Sequence, residues 1–170
     1  TVAVEEPGWY QLAFSYSQMN VEDMNCYKTI EIDGAVPYQE WRQVAFPYTA
    51  YTFETKAVSD DDGTPYQIYL EAGIHTLTLT TTSLPYRDEI EKMTALMAEI
   101  RAAALTIKKV TGNSTDIYRT WKMEEFIPGI ADTLNRLADE IDMVYASLEE
   151  KCGQSPSFAG TLVVASSNLR

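Results

Sequence analysis

Residues 77–100 read LTLTTTSLPYRDEIEKMTALMAEI, and the pattern of apolar residues changes within this stretch. Up to Thr82, leucine alternates with threonine, which is the two-residue period of a strand with one buried face. From Ile90 onward, apolar residues recur every three or four positions, as on one face of a helix. Pro85 separates the two patterns, since proline suits the first turn of a helix and not its interior. The sequence predicts an α+β chain with a β domain at residues 1–84 and a helical domain at 85–170.

The first half is rich in Tyr, Phe, Val and Thr, which favour strands. Turn signals, including Asp33-Gly34 and the run at 59–63, separate short alternating segments. This spacing predicts an antiparallel β-sandwich of the jelly-roll type. The expected strands are residues 9–16, 28–32, 43–46, 51–53, 66–70 and 74–81. These are few strands for a closed double sheet, so we expect a closing strand beyond Arg170.

The second half predicts a long antiparallel helical hairpin, or bundle, with an incomplete third helix. The first helix is expected at 86–110 and stops at Thr111-Gly112-Asn113, and the second ends at Gly153. Asp116 is a plausible N-cap for a short helix that continues to Phe126. Two seams with apolar residues at spacings of three and four should pack together: Ile90, Met93, Met97, Ile100, Ala104 and Ile107 in the first helix, and Ile127, Ile130, Leu134, Leu137, Ile141, Val144 and Leu148 in the second.

Ser155-Pro156 opens the expected third helix, because proline is tolerated at the first helical position. Its seam is predicted to contain Phe158, Leu162, Ala165 and Leu169. The chain begins at Thr1 and stops at Arg170 within this helical pattern. We therefore expect both ends to be boundaries within a longer protein.

The charge of this 170-residue chain excludes two classes of partner. A net charge of −12 repels nucleic acid and anionic membrane surfaces. Cys26 and Cys152 have no metal-ligand spacing, and unpaired thiols are favoured over a disulfide between the two halves. His75 is the only histidine, so a His-pair metal site and a catalytic triad lack their residues. The sequence calls for no cofactor.

Aromatic residues in the β half are the candidate ligand contacts. Trp41, Tyr48, Tyr51 and Tyr66 could stack on the apolar faces of sugars. Most such rings fill the core of a small sandwich, however, and that alternative applies to each of them. Trp41 and Tyr51 are the expected exceptions, because both lie at strand ends or in loops.

Two acidic side chains, Asp60 and Asp62, form a weak calcium candidate, since carboxylates are suitable calcium ligands. Their loop lacks the alternating ligands and distal Glu of an EF-hand, so a solvated turn is the favoured interpretation. His75 continues the line of Leu77 and Leu79, which favours a hydrogen-bonded core or semi-buried histidine over a catalytic one. Acidic residues of the helices lie between seam positions and predict a solvated face, not an acid–base pair. The sequence thus predicts no enzyme.

Several segments together resemble a known architecture. Residues 8–12 (GWYQL), 30–34 (IEIDG), 36–38 (VPY) and 69–79 (YLEAGIHTLTL) are similar to the β-sandwich of carbohydrate-binding-module-like domains. The helical segments that follow, at 86–90, 110–113, 127–130 and 134–138, extend the likeness to an accessory region of extracellular solute-binding proteins. Those proteins serve carbohydrate ABC transporters of Gram-positive gut bacteria.

The resemblance implies a lipid-anchored parent protein outside the cell that delivers sugars to an ABC permease. This chain would be a non-catalytic accessory domain that contacts the rest of its parent, and glycan weakly. The alternative hypothesis is a structural module without a ligand, which docks through its helical seam. A small hydrolase is a third hypothesis, and it lacks paired catalytic groups.

Overall fold

The computed structural model describes residues 1–112, 114 and 119–170. The chain divides into two compact units, Thr1–Pro85 and Tyr86–Arg170. Across the described residues, no helix is both long enough and apolar enough to cross a membrane. Cys26 and Cys152 are free thiols.

The first unit consists of short strands joined by turns. The strands are β1 (Val2–Val4), β2 (Gly8–Tyr10), β3 (Ala13–Tyr16), β4 (Cys26–Ile32), β5 (Val44–Phe46), β6 (Glu54–Ala57), β7 (Ile68–Leu70), β8 (Gly73–His75) and β9 (Leu77–Thr82). A 3-10 helix, Gln39–Arg42, precedes β5.

All strand pairs are antiparallel, and they form small sheets. One sheet has the order β5-β4-β9, and the ladders β1–β8, β2–β7 and β3–β6 have two strands each. Val4 pairs with Gly73, and Gly8 pairs with Leu70. Three residues therefore lie between the paired positions on one side, and two residues lie between them on the other. These unpaired residues separate the two ladders. The antiparallel β structure is confirmed, and the two-sheet jelly roll stays a prediction.

The core of this unit collects side chains from most of its strands. Ile30 is wholly buried, and Val44, Phe46, Val58 and Ile68 surround it. Burying a side chain such as Ile30 stabilises the fold by about 1.5–3 kcal/mol. Leu12, before β3, and Phe14 and Tyr16 of β3 are partly buried and pack against this cluster.

Three predicted strands differ in detail. The expected strand at 51–53 is wrong, because Ala50 and Tyr51 have φ values of 46° and 70°, which an extended chain cannot adopt. The strand expected at 9–16 is divided into β2 and β3. The one expected at 74–81 is divided at Thr76, whose amide donates to the side chain of Asp33.

The second unit is a helical bundle. Its helices are α1 (Arg87–Thr111), α2 (Met123–Phe126), α3 (Ile130–Cys152) and α4 (Gly160–Leu169), with a 3-10 turn at Ser157–Ala159. Glu89 of α1 contacts Lys151 of α3, whereas Glu99 contacts Arg136. The contacts run in opposite order along the two helices, so α1 and α3 are antiparallel.

The seam of α3 is confirmed. Leu137, Ile141, Val144 and Leu148 form the buried cluster of this unit together with Leu96. Helix α3 ends at Gly153, whose φ of 71° is the left-handed conformation that stops a helix.

The predicted seam of α1 is only partly right. Met93, Ile100 and Ile107 are half-buried, but Ile90, Met97 and Ala104 are exposed. The buried stripe alternates steps of four and three through Glu89, Met93, Leu96, Ile100, Ala103, Ile107 and Val110. A carboxylate occupies one of these positions, so a search for apolar residues alone selects the neighbouring stripe.

The seam of α4 is also corrected. Leu162 and Leu169 join the core, whereas Phe158 is 42% exposed and Ala165 is exposed. Ala159 and Ser166 take their place as buried residues, because small side chains allow the helices to approach closely. Asp116, the expected N-cap, lies outside the described residues.

Candidate functional site: an acidic aromatic cleft

Two of the four predicted ligand-binding residues, Trp41 and Tyr66, lie together in one cleft of the first unit. The cleft has a volume of about 340 Å³. Its chemically distinctive side chains are Glu40, Trp41, Lys56, Asp60, Asp61 and Tyr66. Aromatic surface and polar groups thus converge on one concavity, which is typical of small-molecule sites.

Short local structures build this cleft. The 3-10 helix before β5 leaves Glu40 exposed and turns Trp41 inward. The turn that follows β6 is held by Asp60, whose Oδ1 accepts the amides of Asp62 and Thr64 at 3.1 and 2.8 Å. This Asx-type turn fixes the position of the acidic side chains relative to Tyr66.

Aromatic rings form the wall of the cleft. The rings of Tyr38 and Tyr66 are 4.5 Å apart, and that of Trp41 lies 6.2 Å from Tyr66. The Tyr38 hydroxyl donates to the main-chain oxygen of Gln67 at 2.5 Å, which fixes the ring. Tyr66 is half-buried and keeps part of its ring accessible.

The expected exposure of Trp41 is wrong, because its exposed fraction is 0%. It precedes a strand in the sequence, but the helical turn carries its ring into the core beside Ile30. Its Nε1–H is buried and has no acceptor among the residues that the structure describes. An unpaired buried donor costs roughly 1–3 kcal/mol, so this group is a notable polar feature of the wall.

The electrostatic field of the cleft is negative. Partial burial, followed by the negative charges of Glu40, Asp60 and Asp61, raises the pKa of the Tyr66 hydroxyl. Lys56 is the cationic side chain that lines the same cleft. Three carboxylates against one ammonium group favour a ligand with positive charge.

The weak calcium candidate gains no support from this geometry. Asp60 lines the cleft and Asp62 does not. In the described ranges, no group of three or more His, Cys, Asp or Glu residues could hold a metal ion. The acidic turn therefore resembles the solvated turn that the sequence favours.

The other two predicted residues, Tyr48 and Tyr51, lie in the loop between β5 and β6. Burial, followed by the charges of Glu22, Tyr51 and Asp23, raises the pKa of the Tyr48 hydroxyl. Tyr51 is 79% exposed, as predicted, and neighbouring Phe53 is 78% exposed.

This loop is anchored from inside by one buried residue. Thr49 is buried, its Oγ1 accepts the amide of Gln18 at 3.0 Å, and its own amide donates to the oxygen of Gln18 at 3.1 Å. The left-handed backbone at Tyr51 is unfavourable for a residue with a side chain. Such strain is common where a side chain is displayed for binding.

Sequence reasoning missed several residues. Glu40 and Lys56 gave no signal, because isolated charges in strand-rich segments are usually solvated. Trp9 and Tyr69, at 68% and 50% exposure, form an edge-to-face pair at 5.6 Å on the β2–β7 ladder. The alternation of their strands could have indicated this outward pair.

Two further concavities lie elsewhere in the described structure. One of about 310 Å³ is lined by Phe14, Tyr16 and Phe46 in the first unit. The other, of about 480 Å³, is lined by Ile107, Met123 and Ile130 in the helical unit. Neither is lined by any of the four predicted ligand-binding residues.

Comparison with known proteins found a similarity in the helical unit. Residues 88–170 match the family model of the bacterial solute-binding protein, 4-helix bundle domain. No curated protein and no solved structure matches the chain. The match supports a solute-binding protein region and suggests an accessory part of a larger parent protein at the bacterial surface or outside the cell.

Proposed function

We propose that this chain is a non-catalytic accessory region of an extracellular solute-binding protein for carbohydrate uptake by an ABC transporter. The match of residues 88–170 to the solute-binding 4-helix bundle domain carries this proposal. The first unit serves as a carbohydrate-binding-module-like β-sandwich that contacts glycan weakly. The parent protein is anchored by lipid outside a Gram-positive cell, delivers sugar to the permease, and holds this region against its solute-binding lobes.

The glycan contact is assigned to the cleft around Tyr66, with Tyr51 as a separate exposed ring. Sugar rings have apolar faces that pack on aromatic side chains, while their hydroxyls need polar partners. The cleft supplies both, since Tyr66 lies beside Glu40, Asp60 and Lys56. One accessible ring with few anchored polar groups suits weak affinity.

A calorimetric titration of the 170-residue chain with soluble oligosaccharides tests this contact, alongside a glycan array. We expect measurable heat with at least one sugar, and weaker binding in Tyr66→Ala. The matched control is Trp9→Ala, which removes an exposed ring outside the cleft and should bind like the wild type. Circular dichroism verifies that both variants fold. Absence of heat with every sugar would exclude the glycan contact.

The transporter assignment has its own test. The parent protein should contain a two-lobed α/β solute-binding domain beside this region, and protease treatment of intact cells should release it. A parent that lacks such lobes, or that resists release until the cells are lysed, contradicts the proposal.

A second candidate is a docking module without a ligand. Its support is the apolar surface of the helical unit, where Met97, Leu105, Val163 and Val164 are 47–60% exposed. Light scattering over a range of concentrations tests self-association. A strict monomer that binds sugar argues against this candidate, and a concentration-dependent dimer without sugar binding favours it.

A further inference from the structure

The chemistry of the cleft narrows the class of sugar, and this inference rests on the proposed glycan contact. Glu40 and Asp61 are exposed at the cleft, and within the described structure neither forms an ion pair with Lys56, which also lines it. A neutral sugar gains nothing from this excess of negative charge. A protonated amine is attracted both by carboxylates and by the face of an aromatic ring such as Tyr66.

A metal ion is a poor alternative as the cation. A hard cation needs several oxygen ligands within bonding distance. The described residues contain no group of three or more carboxylate, thiol or imidazole side chains close enough to provide them. Carboxylates that are dispersed around a cleft suit an extended organic cation better than a single ion.

The size of the cleft limits the ligand. Trp41 is wholly buried, so Tyr66 is the lining residue that offers an aromatic face to a ligand. The volume of about 340 Å³ is at the small end of binding pockets, which suits one or two sugar rings.

We propose that the cleft of Glu40, Trp41, Asp61 and Tyr66 binds amino sugars in their protonated form in preference to neutral sugars. The ammonium group lies among the carboxylates, and the sugar ring packs on Tyr66. Acetylation of the amine removes the charge and with it the preference.

A titration with three probes tests the preference. Glucosamine, glucose and N-acetylglucosamine are added to the whole chain at mildly acidic pH, where the free amine is protonated. We expect glucosamine to bind tightest and to lose its advantage as salt is added, because salt screens exposed charges. The indole N–H signals of Trp9, Trp41 and Trp121, assigned by Trp→Phe variants, report where the sugar binds, and that of Trp41 should shift most.

Neighbouring residues of the acidic turn provide a matched pair of variants. Asp61→Asn and Asp62→Asn change the net charge equally, but only Asp61 lines the cleft. We expect Asp61→Asn and Glu40→Gln each to weaken glucosamine binding roughly two- to five-fold, the range for exposed charge pairs. Asp62→Asn should have no comparable effect, and Lys56→Gln should strengthen binding.

The outcomes separate this inference from the proposed function. Equal affinity for glucose and glucosamine, or equal losses in Asp61→Asn and Asp62→Asn, would overturn the amine preference and leave the glycan contact standing. Displacement of glucosamine by millimolar Ca²⁺ would assign the charges to a metal site instead. No binding of any of the three sugars would overturn the preference, and absence of heat with every oligosaccharide as well would overturn the glycan contact.

Discussion

The imidazole Nδ1 of His75 lies 2.6 Å from Oδ2 of Asp33, while its Nε2 lies 2.9 Å from the main-chain oxygen of Glu71. A carboxylate and a carbonyl only accept hydrogen bonds, so both bonds form only when both ring nitrogens carry protons. Oδ1 of Asp33 accepts the amide of Thr76 at 2.8 Å. The charged His75–Asp33 pair therefore joins the turn after β4 to the link between β8 and β9.

The stability of the first unit should depend on pH through this pair. The hydrogen bond that His75 donates to Asp33, followed by the one that it donates to the Glu71 oxygen, raises the pKa of His75. A raised pKa in the folded state contributes stability that is complete below the unfolded value of about 6.5. This contribution disappears as the pH rises through the higher folded pKa. The midpoint of urea unfolding should decrease over that range.

The loss of stability at acidic pH has a different origin. The hydrogen bonds from His75 and the Thr76 amide lower the pKa of Asp33. Its contribution is complete above the unfolded value of about 3.9 and is lost as the pH falls through the lower folded pKa. His75→Gln should remove the alkaline loss. An unchanged pH profile in that variant would contradict the assigned role of the pair.

Adjacent residues on α1 test the corrected seam. Leu96 is 2% exposed and Met97 is 47% exposed. Leu96→Ala leaves a cavity in the helical core and should reduce the free energy of unfolding by about 2–5 kcal/mol. Met97→Ala should change it by less than about 1 kcal/mol. Chemical denaturation measures both, and equal effects would restore the seam that the sequence predicted.

A buried carboxylate joins α1 and α3. Glu89 is 6% exposed, accepts from Ser147 at 2.6 Å, and lies 2.7 Å from Nζ of Lys151. Burial acts to raise the pKa of Glu89, but the hydrogen bonds from Lys151 and Ser147 outweigh it, and the net shift is downward.

Removing one member of this ion pair should destabilise the bundle, whereas replacing both charges by apolar side chains should not. Lys151→Met leaves a buried carboxylate without its cation and should reduce the free energy of unfolding by roughly 3 kcal/mol. The double variant Glu89→Leu, Lys151→Met should recover most of that loss, because it removes the buried charge itself. Thermal unfolding of both variants provides the measurement. A double variant no more stable than the single one would mean that the charges themselves stabilise the bundle.

The strained backbone of the loop between β5 and β6 predicts that glycine at Tyr51 raises stability but weakens glycan binding. Ala50→Gly and Tyr51→Gly both place glycine at a positive φ and should each raise the free energy of unfolding by about 1 kcal/mol. Only Tyr51→Gly removes the exposed ring, so only that variant should weaken glycan binding. Calorimetry with the same sugar compares them. Equal binding by both variants would exclude Tyr51 from the contact.

Much of the fold could be predicted from local patterns. The seam of α3 was identified because its apolar residues are uninterrupted and Gly153 ends the helix. The seam of α1 was not, since Glu89 occupies a buried position and its partner Lys151 is 62 residues away in the sequence. The candidate site shows the same limit, because Tyr51 was correctly expected outside and Trp41 was not.

Sequence alone determined the change from a two-residue to a helical period at Pro85, because periodicity depends only on neighbouring residues. It also determined the net charge of −12. The tertiary structure decided which aromatic rings are buried and which charges surround Tyr66. Those properties arise because the fold brings Glu40 to one cleft with Lys56 and Asp61 from a later segment of the chain, and no local pattern encodes that proximity.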